Sequence, residues 1–226
     1  MSHILDRPVW AALTTRQAHL AEGGPRAMRF PPSIVPFAAV RDASDEAVAA
    51  LAALAAPGET MALPEATPAI IPPGFTTLTA APLVQMVLAR EPPEMPDARI
   101  QSLGPDDAAE MLDLALLTKP GPFTLEAQAL GPFVGIRIGG RLAAMAGERM
   151  KQDGFEEVSG ICAHPDFRGQ GLARILSVFV ARRTLARGVT PYLHAFESNT
   201  AAIRLYESIG FAVRRLLHVS IIRKEA

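Results

Sequence analysis

Cys162-Ala163-His164-Pro165-Asp166-Phe167-Arg168-Gly169-Gln170-Gly171-Leu172-Ala173-Arg174 joins the end of an apolar strand to the start of a helix through residues that leave the backbone uncovered. Gly169 and Gly171 carry no Cβ, so the chain can bend sharply there and a bulky anion can reach the main chain. The helix that follows opens with amides that have no intrahelical partner. Leu172, Ile175, Leu176, Phe179 and Val180 recur at helical spacing and predict one apolar stripe, with Arg174, Arg182, Arg183 and Arg187 facing outward. Gly188 is expected to end this helix. The segment reads as strand, anion cradle and amphipathic helix.

Several glycine-rich loops hold phosphates, and the letters separate them. A nucleoside-triphosphate loop needs Lys and Ser or Thr after its last glycine, where Leu172 and Ala173 stand. A dinucleotide fingerprint needs a small residue at position 174, which is Arg, and an acidic residue closing a parallel βαβ unit, and the sequence pattern around Glu197 does not lead one to expect such a unit. What fits is Arg168-x-x-Gly171-x-Ala173, which resembles the Q/R-x-x-G-x-G/A signature of the GNAT superfamily of acyl-CoA-dependent N-acyltransferases. Downstream, Asn199-Thr200-Ala201-Ala202-Ile203-Arg204-Leu205-Tyr206-Glu207-Ser208-Ile209-Gly210-Phe211 resembles a second GNAT signature, N-x-x-A-x-x-L-Y-x-x-x-G-F. Ser198 or Asn199 can cap that helix, Ala202, Leu205, Tyr206 and Ile209 mark one face, and Gly210 closes it.

Prolines divide the chain. Glu91-Pro92-Pro93-Glu94-Met95-Pro96 reads as an extended connector, placing a boundary near residue 97. Beyond it, Arg99 to Leu103 predicts a strand, Pro105-Asp106-Asp107 opens a helix to about Thr118, and Lys119-Pro120-Gly121-Pro122 stops it. Phe133 to Ile138, Gly139-Gly140 and Leu142 to Arg149 predict a hairpin, and Asp153-Gly154 turns into a strand from Phe155 to Ala163. A strand from Thr190 to Phe196 and one from Phe211, with Val213, Leu217, Val219 and Ile221 on one parity, complete the order. The fold class expected is α/β with a mixed central sheet flanked by helices, and residues 98–226 resemble a GNAT domain throughout. Residues 1–97 are expected to form a smaller α/β half, a degenerate GNAT-like unit or a lid, without a second cofactor site. In it, Trp10 to Leu20, Ser44 to Ala55 and Pro82 to Arg90 read as helical, and Glu59 to Leu63 and Thr76 to Thr79 as extended.

The chain has 226 residues, a formal charge of −1 and one cysteine. It is long enough for one large or two small domains with a real core. Near-neutral charge offers no general attraction to nucleic acid. The small-apolar stretch Ala47 to Ala56 falls short of the roughly 20 residues of a membrane span. Asp6 and Arg7 interrupt the opening residues, so no secretory leader is expected, and a lone cysteine suits a reducing cytoplasm. A monomer or homodimer is expected.

The resemblance implies an N-acetyltransferase that uses acetyl-CoA and a small-molecule or peptide amine, without a metal. It assigns the pantetheine arm to the backbone of Ile161, Cys162 and Ala163 and the pyrophosphate to amides of Arg168, Gly169, Gln170, Gly171, Leu172 and Ala173. It further assigns Asn199 to the pantetheine, Tyr206 to the site beside the cofactor sulfur as acid, and Glu157 to the role of base. Glu156 is expected on the opposite face. Cys162 reads as a buried small hydrophobe, and His164, His194 and His218 lack metal-ligand spacing. The alternative is a non-catalytic CoA-binding or structural GNAT-like module. Many GNAT domains continue past Gly-Phe with a hairpin, but only residues 212–226 remain, so the amino-terminal half, with Lys119 to Glu126, is expected to wall the acceptor site.

Overall fold

The structure, a computed structural model, describes residues 3–226. Its amino-terminal part contributes α1 (Pro8–Thr14), the short strands β1 (Glu22–Gly23), β2 (Ala27–Arg29) and β3 (Ala38–Val40), α2 (Asp45–Leu54), β4 (Thr60–Glu65) and β5 (Phe75–Leu88). After the proline connector come β6 (Ile100–Leu103), α3 (Ala108–Thr118), β7 (Phe133–Ile138), β8 (Arg141–Gln152) and β9 (Phe155–Ala163). The cradle leads into α4 (Leu172–Leu185), β10 (Thr190–Phe196), α5 (Thr200–Ser208) and β11 (Phe211–Lys224).

Eight strands form one mixed sheet in the order β4-β11-β5-β10-β9-β8-β7-β6, and β1-β2-β3 form a small sheet of their own. Among the named strands of the described residues, β9 and β10 are the one parallel pair, as a right-sized crossover through α4 allows. Against one sheet face pack α4 and α5, through Leu172, Leu176, Val180 and Tyr206 on Val84, Met86, Val134 and Leu193. The other face carries α1 with Phe30 and Phe37, over Met150 and Tyr192, and α3 with Met111 and Leu114, over Met145 and Cys162.

The boundary near residue 97 does not divide the sheet. β5 lies between β11 and β10, and β4 lies on the far side of β11, so strands from before the connector complete the sheet built after it. The helix expected from Pro82 to Arg90 is the second half of β5. Its run Leu83–Leu88 is apolar on both parities because Val84 and Met86 face α4 and α5 while Val87 faces α1, and periodicity cannot separate such a strand from a helix.

Three smaller expectations change for local reasons. α1 stops at Thr14, short of Leu20, because the hydroxyls of Thr14 and Thr15 bond back to Trp10 and Ala11 carbonyls and a 3₁₀ turn follows at Ala18–Leu20. The β11 parity breaks because Arg214 is bulged out of register between Val213 and Arg215, leaving Val213 exposed while Leu217 and Val219 are buried. On α4 Phe179 is exposed under the Arg183 guanidinium, and Val178 takes the core position.

A chain beginning at residue 97 would leave β11 with no neighbour and β10 with only β9. We expect it to show no cooperative thermal transition by circular dichroism; a sharp melt would contradict the integrated sheet.

Candidate active site

β9 and β10 stay paired only from Thr190 opposite Phe155 to Tyr192 opposite Glu157. Beyond that point β9 runs on to Ala163 and β10 to Phe196 without touching. Gly160 helps to turn β9 away: it adopts φ +62° where the β8–β9 register slips, and a Cβ there would lie 2.7 Å from the Phe133 ring. The gap is a cavity of about 140 Å³. Ile161, Asn199, Ala202 and Tyr206 line it on the α5 side, and Phe37, Arg149 and Met150 on the opposite side, so it passes through the sheet.

At the apex sits a buried polar chain. Arg149 donates two hydrogen bonds to Glu157, 2.8 Å from Nε to Oε2 and 2.7 Å from Nη2 to Oε1. His194 Nδ1 lies 2.7 Å from Glu157 Oε1, and His194 Nε2 lies 3.0 Å from Gln85 Nε2. Gln85 Nε2 also donates to the Leu5 carbonyl, and its Oε1 accepts from Arg214 Nη1 at 2.6 Å. The amide orientation is thereby set, so His194 Nε2 accepts and Nδ1 carries the proton given to Glu157. The Arg214 bulge aims its guanidinium at both Gln85 and Asp6, the latter at 2.5 Å.

This arrangement decides the standing of Glu157. The side chain is fully buried and is not part of the cavity wall. Burial alone would raise its pKa, but the charge and hydrogen bonds of Arg149 and the bond from His194 outweigh burial and hold it at about 2. The expected base is a buried carboxylate whose ionised form Arg149 and His194 stabilise and whose oxygens they occupy, which makes it a poor proton acceptor. Glu156 does point the other way, to Arg16 and Arg187.

The cradle is open. Gly169 and Gly171 have φ +78° and +72°, and a Cβ on either would meet nothing within 4 Å. No side chain caps α4, whose first bond runs from Ile175 to the Gly171 carbonyl. Among the described residues the amides of Gly169, Gln170, Gly171, Leu172, Ala173 and Arg174 have no backbone partner, while the buried Leu172 side chain anchors the turn. Such a row of amides at a helix start is suited to a diphosphate.

Of the other residues singled out from sequence, Ile161, Asn199 and Tyr206 meet at the cavity. Asn199 Oδ1 is occupied in capping α5 at the Ala202 amide, which leaves its NH₂ as the available group. Burial, with a smaller contribution from the neighbouring Cys162, raises the Tyr206 phenol to about 12. Cys162 faces α3, and burial lifts its thiol to about 11, so it stays protonated at neutral pH. Arg183 and Arg187 do not simply face water: both reach the buried carboxylate Glu148.

Arg149, Gln85 and Arg214 carried no sequence flag, and His194 was noted only as lacking metal-ligand spacing. For Arg149 a signal existed, since the Asp153-Gly154 turn pairs Gln152 with Phe155 and Lys151 with Glu156 and so brings Arg149 beside Glu157. The others depend on pairings across the whole chain.

Comparisons with known proteins agree with this geometry. The sequence model of the family described as FR47-like protein matches residues 133–219. A protein of the GNAT acetyltransferase family from Novosphingobium aromaticivorans is 43% identical over 100% of both chains, with a TM-score of 0.94. A GCN5-related N-acetyltransferase from Kribbella flavida shares the fold at 17% identity and a TM-score of 0.60, over 96% of this chain and 92% of that one. A GCN5-related N-acetyltransferase-like protein from Streptococcus suis does so at 13% identity and 0.55, over 97% and 95%. A search among curated proteins gives no match. The chain belongs to the GNAT family of acetyltransferases.

Replacing Glu157 by Gln breaks a buried pair and strands Arg149, which we expect to cost about 3–5 kcal/mol in a denaturant titration. The Glu157 pKa is lowered on folding, so its stabilisation is full above the unfolded value of 4.5 and fades as pH falls toward about 2. The wild-type advantage over Glu157→Gln should therefore shrink from pH 5 to pH 2; a constant difference would contradict the assignment.

Proposed function

We propose that this chain transfers an acetyl group from acetyl-CoA to the primary amine of an acceptor by direct attack. The observation that carries it is that six unpartnered amides at the start of α4 follow shortly after β9, whose unpaired end at Ile161 lines the cavity beside Tyr206. The amides of residues 169–173 would hold the diphosphate, with the helix dipole adding about 0.3–1 kcal/mol; the Arg168 amide, also expected there from sequence, donates instead to the Pro165 carbonyl. β9 lacks a β10 partner past Glu157, so Ile161, Cys162 and Ala163 offer free main-chain groups to the pantetheine arm, and the Asn199 NH₂ faces the same space.

When bound, acetyl-CoA supplies an activated acyl carbon whose C–S bond breaks as the acceptor nitrogen forms the new amide. The Tyr206 hydroxyl, protonated up to about 12, gives its proton to the departing sulfur. The proton lost by the acceptor nitrogen passes to solvent, and one from solvent restores the phenol. Glu157 is no base in this scheme. Instead Lys119, which lines the cavity with no ion pair among the described residues, disfavours the ammonium form of the acceptor. Phe37, Ala62, Pro64 and Leu83 from before residue 97, with Lys119 to Pro122, stand where an acceptor wall is needed.

Titration calorimetry should show that Gly171→Glu, which strains a positive-φ position and adds a repelling charge, weakens acetyl-CoA binding at least ~30-fold. Equal affinity would end the proposal. Tyr206→Phe should bind acetyl-CoA as the wild type does and lose roughly 100-fold in kcat. With any accepted amine, kcat/KM should rise along the acceptor's own ionisation, with no limb between pH 4 and pH 6 attributable to a carboxylate base. Tight binding with no turnover on any amine would favour the non-catalytic CoA-binding module.

A further inference from the structure

The cavity wall has a one-sided charge. Among the described residues that line it, Lys119 and Arg149 are the charged side chains of fixed sign, and no Asp or Glu is present. Glu157 lies behind the wall, neutralised by Arg149 and held by His194. The rest of the acceptor side is apolar, including Phe37, Leu83, Met150, Val219 and Ile221. The volume, about 140 Å³, is below the roughly 300–1,000 Å³ typical of drug-sized ligands.

Both cations retain donor capacity. Glu157 takes Nε and Nη2 of Arg149, whereas Nη1 makes no hydrogen bond among the described residues and sits beside Gly121, 3.7 Å from where a Cβ there would stand. Phe37 covers the guanidinium face, with its ring centroid 4.8 Å from the guanidinium carbon. Lys119 is exposed at the mouth and has no ion pair among the described residues. It is also the one non-glycine described residue with positive φ, +52°, where the chain leaves α3 for the rigid Pro120-Gly121-Pro122. A strained backbone thus carries an uncommitted cation to the entrance of an apolar slot.

We infer that the acceptor is a small amine bearing both a carboxylate and an apolar side chain, an apolar α-amino acid, and not a polycation. This rests on the acyl-transfer reading. The carboxylate would meet Lys119 Nζ and Arg149 Nη1, the apolar chain would occupy the slot, and the amine would be left facing Tyr206. Polyamines and aminoglycosides would bring further positive charge to a wall that already carries the unpaired Lys119 and has no carboxylate of its own to receive it.

The test uses the full chain with acetyl-CoA and L-leucine, isopentylamine, spermidine or a leucine-initiated peptide, with acetylated product measured by mass spectrometry. We expect kcat/KM for L-leucine at least ~10-fold above isopentylamine and the peptide, and ~100-fold above spermidine. Lys119→Gln should bring the leucine and isopentylamine values together while leaving CoA affinity unchanged. Equal or better use of spermidine, isopentylamine or the peptide overturns the inference. Should no amine be acetylated, transfer itself fails, and calorimetry on CoA-saturated protein still decides the ligand class. Binding of N-acetyl-L-leucine above N-acetylspermidine and N-acetylisopentylamine supports it, and absence of that preference overturns it.

Discussion

The separation of β9 from β10 at Glu157 is the constraint around which the molecule is built. A parallel pair that continued would close the sheet and leave no passage between its faces. Instead a carboxylate is buried at the last paired position, and an ionised group there costs several kcal/mol unless it is fully partnered. Arg149 and His194 provide that compensation, and both also reach the cavity wall. Structural pairing and cavity lining are therefore served by the same two side chains.

The amino-terminal residues complete this arrangement. Gln85, on β5, donates to the far nitrogen of His194, and Arg214 on β11 holds Gln85 from the other side. Asp6, next to α1, accepts from Arg214 and from the His3 amide. Residues remote in sequence thus form one hydrogen-bonded line from the chain's beginning to the open end of the sheet. The pairing of β5 with both β10 and β11 makes the same point in the backbone.

On the reverse face, the arginine-rich side of α4 has a structural use. Arg183 and Arg187 converge on Glu148, with Lys151 3.1 Å from its second oxygen, and Arg187 also bonds Glu156. These ion pairs tie the carboxyl-terminal half of α4 to β8 and β9, while the amino-terminal end remains uncapped and open. The helix is fixed at one end and available at the other, as an anion-binding turn requires.

Local chemistry was readable without coordinates. The glycines that permit positive φ at 169 and 171, the Asp153-Gly154 hairpin, the Asn199 cap and the order of elements after residue 98 all follow from short-range sterics and hydrogen bonding. The expectation that Ile161, Asn199 and Tyr206 share one space came from the resemblance to the GNAT superfamily, not from local chemistry. Tertiary structure alone decided that Leu83–Leu88 is a strand, that Phe179 lies outside the core and that Glu157 is locked by Arg149 and His194. The reason is physical: a run apolar on both parities satisfies helix and strand alike, and a carboxylate's role depends on burial and on partners brought to it by pairings distant in the chain.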